Sequence, residues 1–214
     1  MHLTPTSGAT IAGLLAAGAP AGWAAGRVAT AYAAKPRPAL TWPAITLTSL
    51  LFAWAGLVGP PRWLLGVSIG LAWILVCLAL IDVVSMRLPD LFTLPLVIAG
   101  LALASLLPGA PILDHVVGAV AGYTILSLIA WAYQKWRGVD GIGLGDAKLF
   151  GGAGAWLGWI PLPSVLLVAC AAALGWVAIV GIFRGRGFLQ SRLAFGPPLC
   201  LSIWIVWLHG PLKL

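Results

Sequence analysis

Two of the chain's five carboxylates stand where carboxylates are costly. Asp82 closes an almost wholly apolar run that begins at Leu71, and Asp146 lies in "GIGLGDAKLF", Gly141 to Phe150, with long apolar runs on either side. A carboxylate at membrane depth costs roughly 2.5–3.5 kcal/mol on insertion scales, so it usually faces a cavity and has a use. Two aspartates brought close in a partly dry site do not easily both ionise. One pKa rises, the pair shares a proton, and one member acts as base while the other acts as acid. Peptide hydrolysis needs that division of labour: one carboxylate deprotonates an attacking water and the other protonates the carbonyl oxygen.

The residues around Asp146 suit such a use. Gly143 and Gly145 flank Leu144 and allow positive φ and close backbone approach, which would set Asp146 against another helix or an extended substrate. The same residues also fit a loop in which Asp146 caps its own helix by accepting backbone N–H bonds. Other chemistries fit less well. No Gly-Lys-Ser/Thr follows the glycines, as a phosphate loop requires, and no strand precedes them, as a dinucleotide site requires. Cys77, Cys170 and Cys200 each sit in an apolar run, without a CxxC, and the three histidines are scattered. That spacing points to no metal site, disulfide framework or cofactor, and the cysteines read as small apolar residues.

The elements that must position these groups are membrane helices. The chain has 214 residues, 61% hydrophobic and 8% charged, with a mean hydropathy of +1.05. A soluble domain carries about 25% charged residues. Apolar runs separated by Pro/Gly breaks predict an all-α polytopic bundle of about eight spans. These are Gly8–Ala34, Trp42–Val58, Trp63–Ile81, Leu91–Leu107, Ile112–Tyr133, Ala147–Ile160, Val165–Phe183 and Phe195–Leu208. The whole chain, 1–214, reads as one integral-membrane domain in contact with the lipid bilayer. Ile11 to Ala25 is too poor in preceding basic residues for a secretory signal and is expected to remain as the first helix.

The net charge of +7 follows from topology, not from a nucleic-acid partner. Connections after the odd-numbered spans hold Lys35, Arg37, Arg87, Lys135, Arg137, Lys148, Arg184, Arg186 and Arg192, whereas the other side has Arg62 and Lys213. The positive-inside rule therefore places the odd connections in the cytoplasm and both termini outside, in the periplasm. Asp82 and Asp146 then share the cytoplasmic boundary. The sixth span is short and rich in glycine, which suits a helix packed inside the bundle more than one facing lipid. Trp42, Trp63, Trp136, Trp159 and Trp207 near span ends read as an interfacial belt. Asp90 is expected to cap the fourth helix, with a substrate contact as the alternative, and Asp114 with His115 to sit at the start of the fifth in contact with its dipole.

The residues also carry a family resemblance. Gly143-Leu144-Gly145-Asp146, followed by Lys148-Leu149, resembles the GxGD motif of membrane aspartyl proteases, and in particular the GxGDxKL of the type IV prepilin peptidases. "DVVSMRLPDLFTLPL", Asp82 to Leu96, is similar to that family's D-x6-P-[ND]-x-x-T-L-P segment. "GAWLGW", Gly154 to Trp159, and "FGPPL", Phe195 to Leu199, fall where the family has similar runs. The likeness covers about 75–208, which would be the peptidase core. It implies an inner-membrane aspartic endopeptidase that removes the short basic leader of prepilins or type II secretion pseudopilins at the cytoplasmic face. Asp82 and Asp146 match the catalytic aspartates. Asp140 stands where relatives often carry an acidic residue, and Lys148 would pair with Asp140, shape the field around the two aspartates, or serve only as a structural snorkelling lysine. Many members also methylate the new N-terminus through a domain with paired CxxC motifs between the first two helices. Here that connection is only Lys35-Pro36-Arg37-Pro38-Ala39, so a peptidase without methyltransferase activity is expected.

Two other classes fit parts of the pattern. Intramembrane aspartates also serve proton-coupled transporters, although here they gather at one face. A catalytically inactive pilus or secretion assembly partner would keep the fold and need neither aspartate.

Overall fold

The computed structural model describes residues 7–34, 38–107, 111–138, 143–184 and 194–212. Among them are eight α-helices and no strand: α1 Gly8–Ala31, α2 Thr41–Val58, α3 Arg62–Ser85, α4 Asp90–Leu106, α5 Ile112–Arg137, α6 Leu144–Leu157, α7 Leu162–Arg184 and α8 Gly196–His209. A short 3₁₀ turn, Pro38–Leu40, precedes α2. Five helices, α1, α2, α3, α5 and α7, are long and apolar enough to cross a membrane by length and composition. The architecture is an all-α polytopic bundle.

The spans differ from the sequence expectation mainly at their ends. The third runs on to Ser85, because Val83 and Val84 continue the apolar helix past Asp82. The fifth runs on to Arg137 and places Lys135 and Arg137 in its last turn, where cations meet the negative end of the helix dipole. The sixth begins at Leu144 instead of Ala147 and stops at Gly158, whose φ of +79° ends the helix.

The chain divides into two compact units, Met1–Met86 and Arg87–Leu214. In the first, α1 and α2 pack antiparallel through a row of glycines. A Cβ at Gly18 would run into the backbone of Ser49, one at Gly22 into Ile45, and one at Gly26 would come 3.0 Å from Thr41. Such a stripe lets apolar helices approach closely where no hydrophobic effect drives them together. The indole of Trp73 ties α3 to α1 by donating to the Ala21 carbonyl at 3.0 Å.

The second unit is organised around α6. This helix of 14 residues has a run from Asp146 to Trp156 that is buried except at Lys148, the inward packing its glycines predicted. Its partners α4 and α5 meet it on two different faces. Along α4 the pairs ascend together, Asp90 with Lys148, Leu96 with Gly152 and Gly100 with Trp156, so α4 and α6 run parallel. Along α5 they run in opposite senses, Gly118 with Gly154 and Gly122 with Phe150, so α5 is antiparallel to both.

Candidate active site

Each carboxylate takes its place from its helix. Asp82 lies in the last turn of α3 and Asp146 in the first turn of α6. Both are buried, at 6% and 8% exposure, and among the described residues they are the only buried charged side chains. The other acids behave differently: Asp90 is exposed, Asp114 is half-buried, and Asp140 lies outside the described residues. Burial therefore singles out the same two aspartates as the sequence did. Asp82 belongs to the first unit and Asp146 to the second.

At the end of α3 the chain turns sharply. Met86 donates its N–H to the Asp82 carbonyl at 2.8 Å and has φ +51°, the only positive φ outside glycine among the described residues. Leu88 and Pro89 then lead into α4.

Of the two glycines before Asp146, only Gly145 is closely approached. Gly143 is the N-cap of α6 with φ −74°, and neither Gly143 nor Gly145 takes a positive φ. The expected left-handed turn is therefore absent, since the chain enters α6 directly from an extended residue. The expected close approach is present at Gly145. A Cβ there would stand 2.9 Å from the Leu88 Cβ and 3.3 Å from the Leu88 nitrogen, both inside ordinary contact. Asp146 is not the N-cap of α6: it is the third helical residue, and its own N–H donates to the Gly143 carbonyl at 3.0 Å. A carboxylate in the first turn also meets the positive end of the helix dipole.

Lys148 pairs with a residue that the sequence analysis assigned elsewhere. Its Nζ donates to Asp90 Oδ1 at 2.5 Å. Asp90 is the first residue of α4, where Pro89 is the N-cap and no side chain caps the helix, so a cross-helix ion pair takes the place of the expected capping bond. A contact separated by 58 residues in sequence leaves no local signal to find it by. Two further ties were likewise unforeseen. Trp156 Nε1 donates to the Leu96 carbonyl at 2.7 Å, and the His115 ring Nδ1 lies 3.0 Å from the Ala155 carbonyl.

The face on which Asp146 sits follows from helical geometry. At roughly 100° per residue, Gly145, Lys148, Gly152 and Trp156 share the stripe facing α4, and Gly151 and Gly154 share that facing α5. Asp146 falls between the two stripes with Leu149, Phe150 and Ala153, all buried. Its carboxylate thus projects toward neither α4 nor α5. Among the described residues no group of three or more His, Cys, Asp or Glu could hold a metal ion. The chemistry on offer is that of carboxylates: proton transfer and hydrogen bonding.

Known proteins resemble the chain over more than half of its length. Residues 69–178 match the type IV leader peptidase family, a stretch that includes both Asp82 and Asp146. The prepilin leader peptidase/N-methyltransferase of Aeromonas salmonicida is 42% identical over 166 residues, 77% of this chain and 56% of that protein. The protein of the same name from Dickeya chrysanthemi is 42% identical over 171 residues, 77% of this chain and 59% of that protein. For that from Burkholderia pseudomallei strain K96243 the figures are 42% over 130 residues, 61% and 42%. The chain thus spans about half the length of the curated relatives it matches. No solved structure matches it.

Proposed function

The chain belongs to the type IV leader peptidase family, and from that premise we propose that it is an aspartic endopeptidase in which Asp82 and Asp146 act on one peptide bond. The observation that carries this reading is their shared burial, unique among the charged side chains described. A carboxylate removed from water is held neutral or ionised by its neighbours, which is how one of a pair comes to keep a proton and the other to lack one.

In the proposed reaction the ionised carboxylate takes a proton from water as the oxygen attacks the scissile carbonyl. The protonated carboxylate donates to the carbonyl oxygen. Collapse of the tetrahedral intermediate breaks the C–N bond: the departing amine takes up a proton from the carboxyl group that gained one, and the other carboxylate takes back its proton from the intermediate's hydroxyl as the C=O re-forms. Water is consumed, and neither metal nor cofactor is called upon. The substrate is a prepilin or pseudopilin whose short basic leader precedes an apolar helix; the relatives are named prepilin leader peptidases.

The distribution of Lys and Arg supports a location in the inner membrane with the aspartates at the cytoplasmic face and both termini periplasmic. With spans taken to alternate in direction, the same charge count assigns the end of α3 and the start of α6 to the cytoplasmic side. The stretch between α1 and the 3₁₀ turn covers only residues 32–37 and has no CxxC. This supports peptidase activity without methyl transfer.

The test is cleavage of a purified prepilin in detergent or lipid, scored by mass, in the presence of S-adenosylmethionine. Wild type should remove the leader and add no methyl group. Asp82→Asn and Asp146→Asn should each lower the rate by on the order of 10²–10⁴-fold, the range that positioned acid–base groups supply. Cleavage that survives both substitutions would sink the paired-aspartate mechanism. Methylation of the product by the wild type would sink the peptidase-only assignment.

A further inference from the structure

We propose that Asp90 is a positioning residue for Asp146, acting through Lys148; the proposal rests on the peptidase reading above. Lys148 lies two residues after Asp146 on α6, and Asp90 opens the parallel helix α4. Their ion pair, Nζ to Oδ1 at 2.5 Å, joins the ends of the two helices nearest Asp146.

The need for such a tie follows from what α6 is made of. On the faces toward α4 and α5 its close approaches are at Gly145, Gly151, Gly152 and Gly154. Glycines there supply no side-chain knobs to resist rotation about the helix axis, which leaves that resistance to the larger buried residues and to side-chain bonds. Rotation matters for Asp146, whose carboxylate stands on the face between the α4 and α5 contacts. At a radius of about 5–6 Å, a turn of about 10° moves that carboxylate by about 1 Å. Misplacement on this scale costs on the order of 10²-fold in rate. Two side-chain bonds on the α4 face fix the angle. One is Trp156 to the Leu96 carbonyl at the far end of α6, and the other is Lys148 to Asp90 beside Asp146.

The exposure of the pair separates positioning from stability. Asp90 is 56% and Lys148 34% exposed, and ion pairs open to solvent contribute little to folding. Breaking this one should leave the melting temperature in place and still disturb the angle of α6. Asn at position 90 keeps an oxygen that accepts from the ammonium, so it should preserve the tie, whereas Leu removes it.

The experiment uses the full-length protein in detergent, with variants Asp90→Leu, Asp90→Asn and Lys148→Met. Three quantities are followed: prepilin cleavage kinetics, thermal midpoint, and amide hydrogen exchange over residues 144–150. Asp90→Leu and Lys148→Met should lower kcat about tenfold with KM within about twofold, speed exchange over 144–150, and leave the midpoint unchanged. Asp90→Asn should behave as wild type in all three. Unchanged exchange in Asp90→Leu would overturn the proposal. So would unchanged kcat, a rise in KM alone, as a substrate contact would give, or a fall in activity that follows a fall in the midpoint. If wild type cleaves no prepilin, the peptidase reading fails. The exchange data still decide whether the pair holds α6.

Discussion

Trp156 donates its indole N–H to the main-chain carbonyl of Leu96 at 2.7 Å, joining α6 to α4 across 60 residues of sequence. The same ring meets Trp207 of α8 edge to face, centroids 5.4 Å apart. The side chain is buried at 8% exposure, so an indole N–H left without a partner there would cost more than the bond contributes. Phe in its place keeps an aromatic edge and presents no donor to satisfy. Trp156→Phe should therefore lose about 1 kcal/mol of stability, and Trp156→Ala about 3–5 kcal/mol. Reversible unfolding in mixed micelles measures both. Equal losses for the two variants would show that the bond to Leu96, and not packing on Trp207, holds the ring; no loss in Trp156→Phe would show the reverse.

Glycines in this chain divide into those that a neighbour occupies and those that none does. A Cβ on Gly154 would run into the backbone carbonyl of Gly118 on α5, whereas one on Gly175 of α7 meets nothing within 4 Å. Gly154→Ala forces α5 and α6 apart and should cost about 1–3 kcal/mol, as overpacking does. Gly175→Ala should be neutral or stabilising by up to about 1 kcal/mol, through helix propensity alone. The two thermal shifts, compared in one detergent, give the sign of each.

Much of this was legible in the sequence. All eight helices fall within a few residues of the apolar runs, because long apolar stretches have no other stable form in lipid. Asp82 and Asp146 stood out as carboxylates in apolar surroundings, and both are buried. What the sequence did not reveal was pairing. The Lys148–Asp90 contact, the bond from Trp156 to Leu96 and the approach of Gly145 to Leu88 depend on the parallel alignment of α4 and α6, which no local pattern encodes. Trp207 looked like a belt residue from its place near a span end, yet it packs against Trp156. Trp42 and Trp136, read the same way, are 74% and 81% exposed, as a belt requires.

Met86 invites a stabilising change. It closes α3 in the left-handed region at φ +51°, where an L residue with a Cβ is strained by roughly 1–2 kcal/mol and glycine is not. Glycine also loses more entropy on folding, so Met86→Gly should gain a net of about 0.5–1 kcal/mol. The gain should appear as a higher thermal midpoint, with prepilin cleavage at the wild-type rate. A lower midpoint would mean that the half-exposed Met86 side chain contributes packing greater than the strain it carries.

Gly145 offers the sharpest test of how Asp146 is placed. A methyl at 145 would stand 2.9 Å from the Leu88 Cβ, and Leu88 is itself buried at 8% exposure, so it has little room to retreat. The first turn of α6 must shift, and Asp146, the next residue, shifts with it. Gly145→Ala should lower kcat by about tenfold or more. At Gly143 the nearest atom to an added Cβ is Asp146 Oδ2 at 3.7 Å, an ordinary contact, so Gly143→Ala should lose distinctly less. Leu88→Gly removes the atom in the way. Combined with Gly145→Ala it should recover part of the lost kcat, even though Leu88→Gly alone costs stability, a coupling that a double-mutant cycle reads directly. Additive losses in that cycle would mean that the glycine serves Asp146 by some route other than its contact with Leu88.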